Sequence, residues 1–237
     1  MIDPAKVLVF DTETDGLLDE VTKLHVLVTR NLATGEVRVF RDTDLRKGVK
    51  YLATFDGSLV GHNAIRYDHP VLAKLYPDIP IPIGKVYDTM VFSRVVYPDL
   101  WDKDKRMRRT RGLPGHLMNS HSLEAWGYRL GLHKGAYDGD PAIEDVKVRR
   151  AQKWAKWNQA MEDYCVLDTA VTEKLLRTLL ASKLRPPDDC WQMETEVQRI
   201  LARQERHGFL FDYQAAELLY RTLAKRREEL RVELGKV

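Results

Sequence analysis

Short apolar runs separated by turn residues fill the early part of the chain, and apolar positions three or four residues apart fill the later part. The first rhythm predicts strands and the second predicts helices with one buried face. Val7-Leu8-Val9-Phe10 is wholly apolar and rich in valine, the pattern of a strand buried on both sides; it ends in Asp11 and Glu13 and breaks at Gly16. Leu24–Thr29 and Glu36–Phe40 read as the next strands, joined by the turn signal Ala33-Thr34-Gly35. Connections that short predict consecutive hairpins. Ser58–Val60 opens a further buried strand ending in Gly61-His62-Asn63, and Pro70 places Asp68 near a helix N-terminus. Asp88 precedes another apolar, helical stretch, where a cap or first-turn role accounts for it.

Ser120 or Ser122 caps the segment SLEAWGYRL, which stops at Gly131 before a loop over Gly135–Pro141. From about Val148 to Leu180 the residues Trp154, Trp157, Met161, Tyr164, Asp168, Val171, Leu175 and Leu179 recur at helical spacing, which predicts one long helix. Arg185-Pro186-Pro187 breaks that pattern, and the chain is divided there into residues 1–184 and a helical extension, 185–237. In the extension, Asp188–His207 reads as a helix stopping at Gly208, and Asp212 caps a last amphipathic helix. Two helices cannot bury their apolar faces alone, so this tail is expected to pack back on the first domain or to lead into something larger.

Composition changes this picture little. A hydrophobic share of 44% with 31% charged residues is ordinary for a soluble globular protein. A net charge of +3 does not by itself call for a polyanionic partner. Two cysteines, Cys165 and Cys190, argue against a disulfide framework or a cysteine-based zinc site. No apolar run approaches the ~20 residues of a membrane span, and MIDPAKV is not a leader, so a cytoplasmic protein with no membrane association is expected.

Candidate chemistry comes from the carboxylates. Side chains alternate faces along a strand, so Asp11 and Glu13 project together from the end of a buried run and repel each other. Asp168 falls inside an apolar helical stripe, one turn beyond Tyr164, where an unpaired carboxylate costs several kcal/mol. A salt bridge would serve Asp168; a divalent cation shared with Asp11 and Glu13 would serve all three. Asp68 is either a further ligand or simply a first-turn carboxylate facing the helix dipole. Lys103–Arg111 is the densest basic run, read as a solvated loop or as a flap that contacts phosphates. His116, His121 and His133 lack ligand-like spacing.

The ordered blocks FDTET, GHNAIRYD and YCVLD resemble the three motifs of the DEDD exonucleases, in the tyrosine-bearing subgroup that proofreads for family A DNA polymerases. VYDTMVFSR and SHSLEAWGYRLG extend the likeness to the proofreading domain of podovirus-type phage polymerases, and LARQERHGFLFD resembles the start of the polymerase region. The resemblance implies an α/β, ribonuclease H-like exonuclease fold with a mixed central sheet flanked by helices. It implies 3′–5′ DNA hydrolysis with two Mg²⁺ or Mn²⁺ ions held by Asp11, Glu13, Asp68 and Asp168. Asp11 would bridge the ions, with Glu13 and Asp168 on the nucleophile side and Asp68 on the leaving-group side. Tyr164 would orient the attacking water. Leu17 matches an apolar wedge against the terminal base, and Thr14, Asn63 and Tyr67 match positions near the 3′ end, while Arg106, Arg108 and Arg109 would meet phosphates. Four residues separate Asn63 from Asp68, against three in many cellular relatives, which loosens the roles of Asn63 and Tyr67. The implied partners are a single-stranded 3′ end and a polymerase domain in cis or in trans, with the chain a monomeric fragment or split part, at work in an infected bacterial cell if phage-encoded. The weighed alternatives are a catalytically silent DNA-binding module and an RNA-trimming exonuclease of the same fold.

Overall fold

The computed structural model describes residues 2–132 and 137–235. His133 and the start of the loop expected at Gly135 lie outside the described residues. The chain forms two compact units, Met1–Ala202 and Arg203–Val237.

In the first unit five strands form one sheet, β1 (Val7–Thr14), β2 (Leu24–Asn31), β3 (Val37–Arg41), β4 (Ser58–Gly61) and β5 (Val86–Asp88), in the order β3-β2-β1-β4-β5. The expected hairpins are there: β1 pairs antiparallel with β2, and β2 with β3. β4 and β5 join parallel on the other side, so the sheet is mixed. At three residues, β5 was too short for periodicity to reveal.

Both faces of the sheet are covered by helices. Val7 and Val9 share a core cluster with Phe92, Trp126, Leu175 and Trp191, whereas Leu8 and Phe10 share another with Leu27, Val49, Leu59 and Leu72. α1 (Leu45–Thr54) and α2 (Asp68–Leu75) supply the second cluster, and α3 (Thr89–Val96) the Phe92 of the first. Gly48 of α1 is needed for this packing, because an added Cβ would lie 2.5 Å from the Phe40 ring.

Two sequence expectations are corrected. The basic run is not a loop: residues Trp101–Arg111 form α4, closed by Gly112 at φ +68°. Lysine, arginine and methionine are good helix formers whatever their charge, and Asp102 and Asp104 suit its first turn. α4 is fixed to α5 (Leu123–Leu130) by Asp104 and Arg129, whose side chains are 0% exposed and 2.7 Å apart. Ser122, one of the two expected caps, accepts from the Ala125 N–H of α5.

The long helix predicted from Val148 is two helices, α6 (Val146–Ala151) and α7 (Gln159–Leu180). Asn158 starts the second by accepting from the Met161 N–H at 3.0 Å. Trp154 and Trp157 therefore fall in the connection, where their spacing from Met161 is coincidental. α8 spans Asp188–His207, with Trp191 stacked on Phe92 at 3.5 Å between ring centroids. In the second unit, Asp212 caps α9 (Tyr213–Leu234) through the Ala215 N–H.

Removing one partner of a buried ion pair strands the other charge, so Arg129→Ala is expected to lower unfolding free energy by about 3–5 kcal/mol. Urea denaturation at neutral pH measures it. A change near zero would mean that water reaches Asp104.

Candidate active site

The alternation of β1 carries the Val7–Val9 face on to Asp11 and Glu13, which therefore point toward the side covered by α7. β4 pairs only with Val7, Leu8 and Val9 of β1, so the two carboxylates lie beyond their parallel neighbour. A crevice at the carboxyl ends of parallel strands is where ligand sites of α/β sheets are found. A register shift between Glu13 and Thr14 re-aims the residues that follow.

α7 presents Tyr164, Cys165 and Asp168 to this crevice. The Cys165 Sγ–H donates to Asp11 Oδ2 at 3.3 Å, and ligand atoms of Asp11, Glu13 and Cys165 lie within 4.8 Å of one another. Cys165 was not singled out from the sequence; its place three residues before Asp168, on the same helical face, was the available signal. Asp168 is half-buried, at the edge of the buried stripe formed by Met161, Cys165, Thr172 and Leu176. From the other side comes Asp68, buried in the first turn of α2 and accepting from Thr12 Oγ1 at 2.6 Å.

These groups act on one another electrically. Burial, then the charges of Asp68, Glu13 and Asp168, hold the Asp11 carboxyl well above its usual range. Glu13 is raised well above its range by burial and by Asp168 and Asp68, with Lys153 acting the other way. Burial pushes Asp68 up to about 6 against its hydrogen bond from Thr12. The Tyr164 hydroxyl is also raised, by burial and then by Asp168, Glu13 and Asp11, and is neutral at physiological pH. Oxygen donors gathered under mutual repulsion suit a hard divalent cation, which would let them ionise together. The residues present therefore fit such an ion.

Beside the carboxylates lies a cavity of about 470 Å³ lined by Glu13, Thr14, Gly16, Leu17, Glu20, Tyr67 and Trp154. Leu17 is 74% exposed, unusual for a leucine next to a buried site. The Thr14 and Tyr67 hydroxyls lie against each other, and each is within hydrogen-bonding reach of the Gly16 carbonyl, at 2.9 and 2.7 Å; with one proton each, they fill two of these three contacts at a time. Asn63 lies outside this lining. It adopts φ +64°, and its carbonyl accepts from Arg66 and Tyr67 N–H groups, both at 3.1 Å, which shapes the turn into α2. Asp88 does more than cap α3 through the Met90 N–H. It also accepts from the N–H groups of Asn63 at 2.8 Å and Ile65 at 3.2 Å, tying down the loop that delivers Asp68. Arg106, Arg108 and Arg109 are exposed on α4, and none is among the described residues lining the cavity.

The architecture is a ribonuclease H-like α/β fold: a five-stranded mixed sheet between helices, with acidic residues at the end of its first strand. Two solved structures share it, one of an apo nuclease and one of NrnC from Brucella melitensis with bound Mg²⁺. The first matches at TM-score 0.50 and 19% identity, over 87% of this chain and 89% of that one. The second matches at TM-score 0.50 and 18% identity, over 88% of this chain and 91% of that one. In sequence, the chain is 36% identical to the DNA-directed DNA polymerases of Escherichia phage T7 and Enterobacteria phage T3, over 94% of its own length. It spans 36% of the length of those polymerases. No protein-family model matches the chain.

A carboxyl group with a raised folded-state value keeps its proton to higher pH when folded than when unfolded. Its stabilising contribution is complete below the unfolded value near 4 and is lost as pH rises through the folded value, about 6 for Asp68. With chelator present, the unfolding midpoint should therefore fall across that window, and saturating Mg²⁺ should flatten or invert the slope. Midpoints measured in urea along a pH series test this; a metal-free slope that rises through the same window contradicts it.

Proposed function

We propose that this chain is a metal-dependent 3′–5′ DNA exonuclease, the proofreading part of a phage-type DNA polymerase, which releases deoxynucleoside monophosphates. The observation that carries this reading is the convergence of Asp11, Glu13 and Cys165 with the charges of Asp68 and Asp168 and the Tyr164 hydroxyl at one end of β1. The similarity to phage polymerases supports DNA as the substrate, a polymerase region in cis or in trans as the partner, and the infected cell's cytoplasm as the setting. A silent module would have no use for so costly a cluster.

Asp11, Glu13, Asp68 and Asp168 are the residues that would hold two Mg²⁺ or Mn²⁺ ions. Bound there, the ions would make the attacking water more acidic and stabilise the departing oxygen. The chain's own groups do the rest. Tyr164, kept neutral, offers a hydroxyl that orients the attacking water. The water gives up one proton to solvent as its oxygen forms a bond to the terminal phosphorus, the bond to the 3′ oxygen of the preceding nucleotide breaks, and that oxygen takes up one proton from solvent. Thr14, Leu17 and Tyr67 bound the cavity that receives the 3′ nucleotide, and Asn63 shapes the loop behind it. Arg106, Arg108 and Arg109, carried on a helix fixed by Asp104–Arg129, meet the backbone farther from the end. Residues 1–184 form the nuclease, and 185–237 begin the junction to the polymerase; the chain acts as a monomer.

A 5′-labelled single strand incubated with Mg²⁺ should shorten from its 3′ end, and both chelator and Asp11→Ala should abolish the ladder. Asp11→Ala should also melt no lower than wild type without metal, since it removes a repelling carboxylate. An intact substrate across Mg²⁺ and Mn²⁺, from folded protein, would overturn the reading.

Replacing Arg106, Arg108 and Arg109 with alanine should reduce the slope of log affinity against log salt by up to about 2, at ~0.7 per phosphate contact on a single strand. An unchanged slope would leave α4 outside the binding surface.

A further inference from the structure

Spacing alone puts Trp154 on a buried helix face, yet it lines the cavity beside Glu13 and Leu17 from the connection between α6 and α7. That connection is irregular backbone, and three hydrogen bonds hold it in place. The Trp154 carbonyl accepts from His25 Nε2 at 2.8 Å, and His25 is buried in β2 opposite the register shift of β1. The Tyr137 hydroxyl donates to the Lys153 carbonyl at 3.0 Å and accepts from Asn158 Nδ2 at 2.6 Å, which also ties the segment to the cap of α7. The Tyr137 ring packs 5.0 Å from the Trp154 ring and 5.9 Å from Tyr164. Lys153 Nζ lies 4.7 Å from the centroid of the indole.

A large aromatic surface is thus fixed in a crevice that also contains an exposed leucine and the buried carboxylates. Trp154 is not needed there to fill the core clusters, which Trp126 and Trp191 complete. What such a wall fits is a flat, polarisable ring attached to a backbone whose phosphate reaches the carboxylates. We infer that Trp154 is a stacking wall for the terminal nucleobase, a binding residue that the sequence motifs do not include. This rests on the nuclease reading and adds to it. Every base has a π-face, so a tryptophan wall accepts any terminal base and rewards one that has left its duplex partner. His25, holding the Trp154 backbone, is a positioning residue for that wall.

The test compares two single strands, one ending in a normal nucleotide and one ending in an abasic nucleotide, for affinity in chelator and for shortening in Mg²⁺. Wild-type protein should prefer the normal end by roughly 5- to 150-fold, the range of one base–aromatic stack. Trp154→Ala and Trp154→Leu should collapse that preference, and Trp154→Phe should retain most of it. The leucine and phenylalanine variants keep an apolar side chain, so a difference between them reports the ring and not the fold. If the preference survives in Trp154→Leu, or wild type shortens both strands without preference, the inference is overturned and the nuclease reading stands. If wild type neither binds nor shortens either strand, both fall.

Discussion

Repulsion among carboxylates withdrawn from water is the constraint on which the rest of this molecule depends. Asp11 and Glu13 sit on a strand whose preceding residues are wholly buried, and Asp68 is delivered beside them by a different element. Each would rather be solvated or protonated, and burial is the first cause of each upward shift. Such an arrangement persists only when the surrounding structure fixes it, and here the fixing is extensive. The sheet clamps Asp11 between β2 on one side and α7 in front, while Asp88 holds the loop that leads to Asp68. The fold stores an unfavourable charge distribution that a cation would relieve.

The geometry of the sheet explains why the cluster forms where it does. β1 has an antiparallel neighbour along nearly all its length and a parallel one for only three residues. Its carboxyl end therefore stands clear of β4, and the start of α2 enters the space. The cavity bounded by Leu17, Tyr67 and Trp154 lies beside that end, next to Glu13. Hydrogen bonds among Thr14, Tyr67 and the Gly16 carbonyl make this lining part of the framework that shapes β1 itself. A change at Thr14 would therefore alter the cavity wall and the end of the strand together.

Much of the fold could be read in advance wherever one local pattern decides. Short apolar runs bounded by turn residues place the first four strands to within a few residues, capping signals place Ser122 and Asp212, and Gly131 and Gly208 end their helices. Failures came where two local signals competed. The dense run of charge at Lys103–Arg111 favours a loop, but intrinsic helix propensity and the buried Asp104–Arg129 pair outweigh it. Periodicity ran Trp154 and Trp157 into α7, but the Asn158 cap began that helix afresh. In both places the deciding contact comes from residues far along the chain, or from a cap whose strength periodicity does not register.

For the candidate site the division is sharper. The sequence alone determined that Asp11 and Glu13 share a face, that Asp68 starts a helix and that Tyr164 and Asp168 lie one turn apart, because these follow from strand and helix repeats. Tertiary structure decided that the pieces meet, that Cys165 donates to Asp11, that Asp88 serves two elements, and that Trp154 faces a cavity and not a core. Local repeats fix a side chain's direction relative to its own element. Its neighbours are set by the packing of elements separated by a hundred residues or more, as between β1 and α7, and no short-range pattern encodes that.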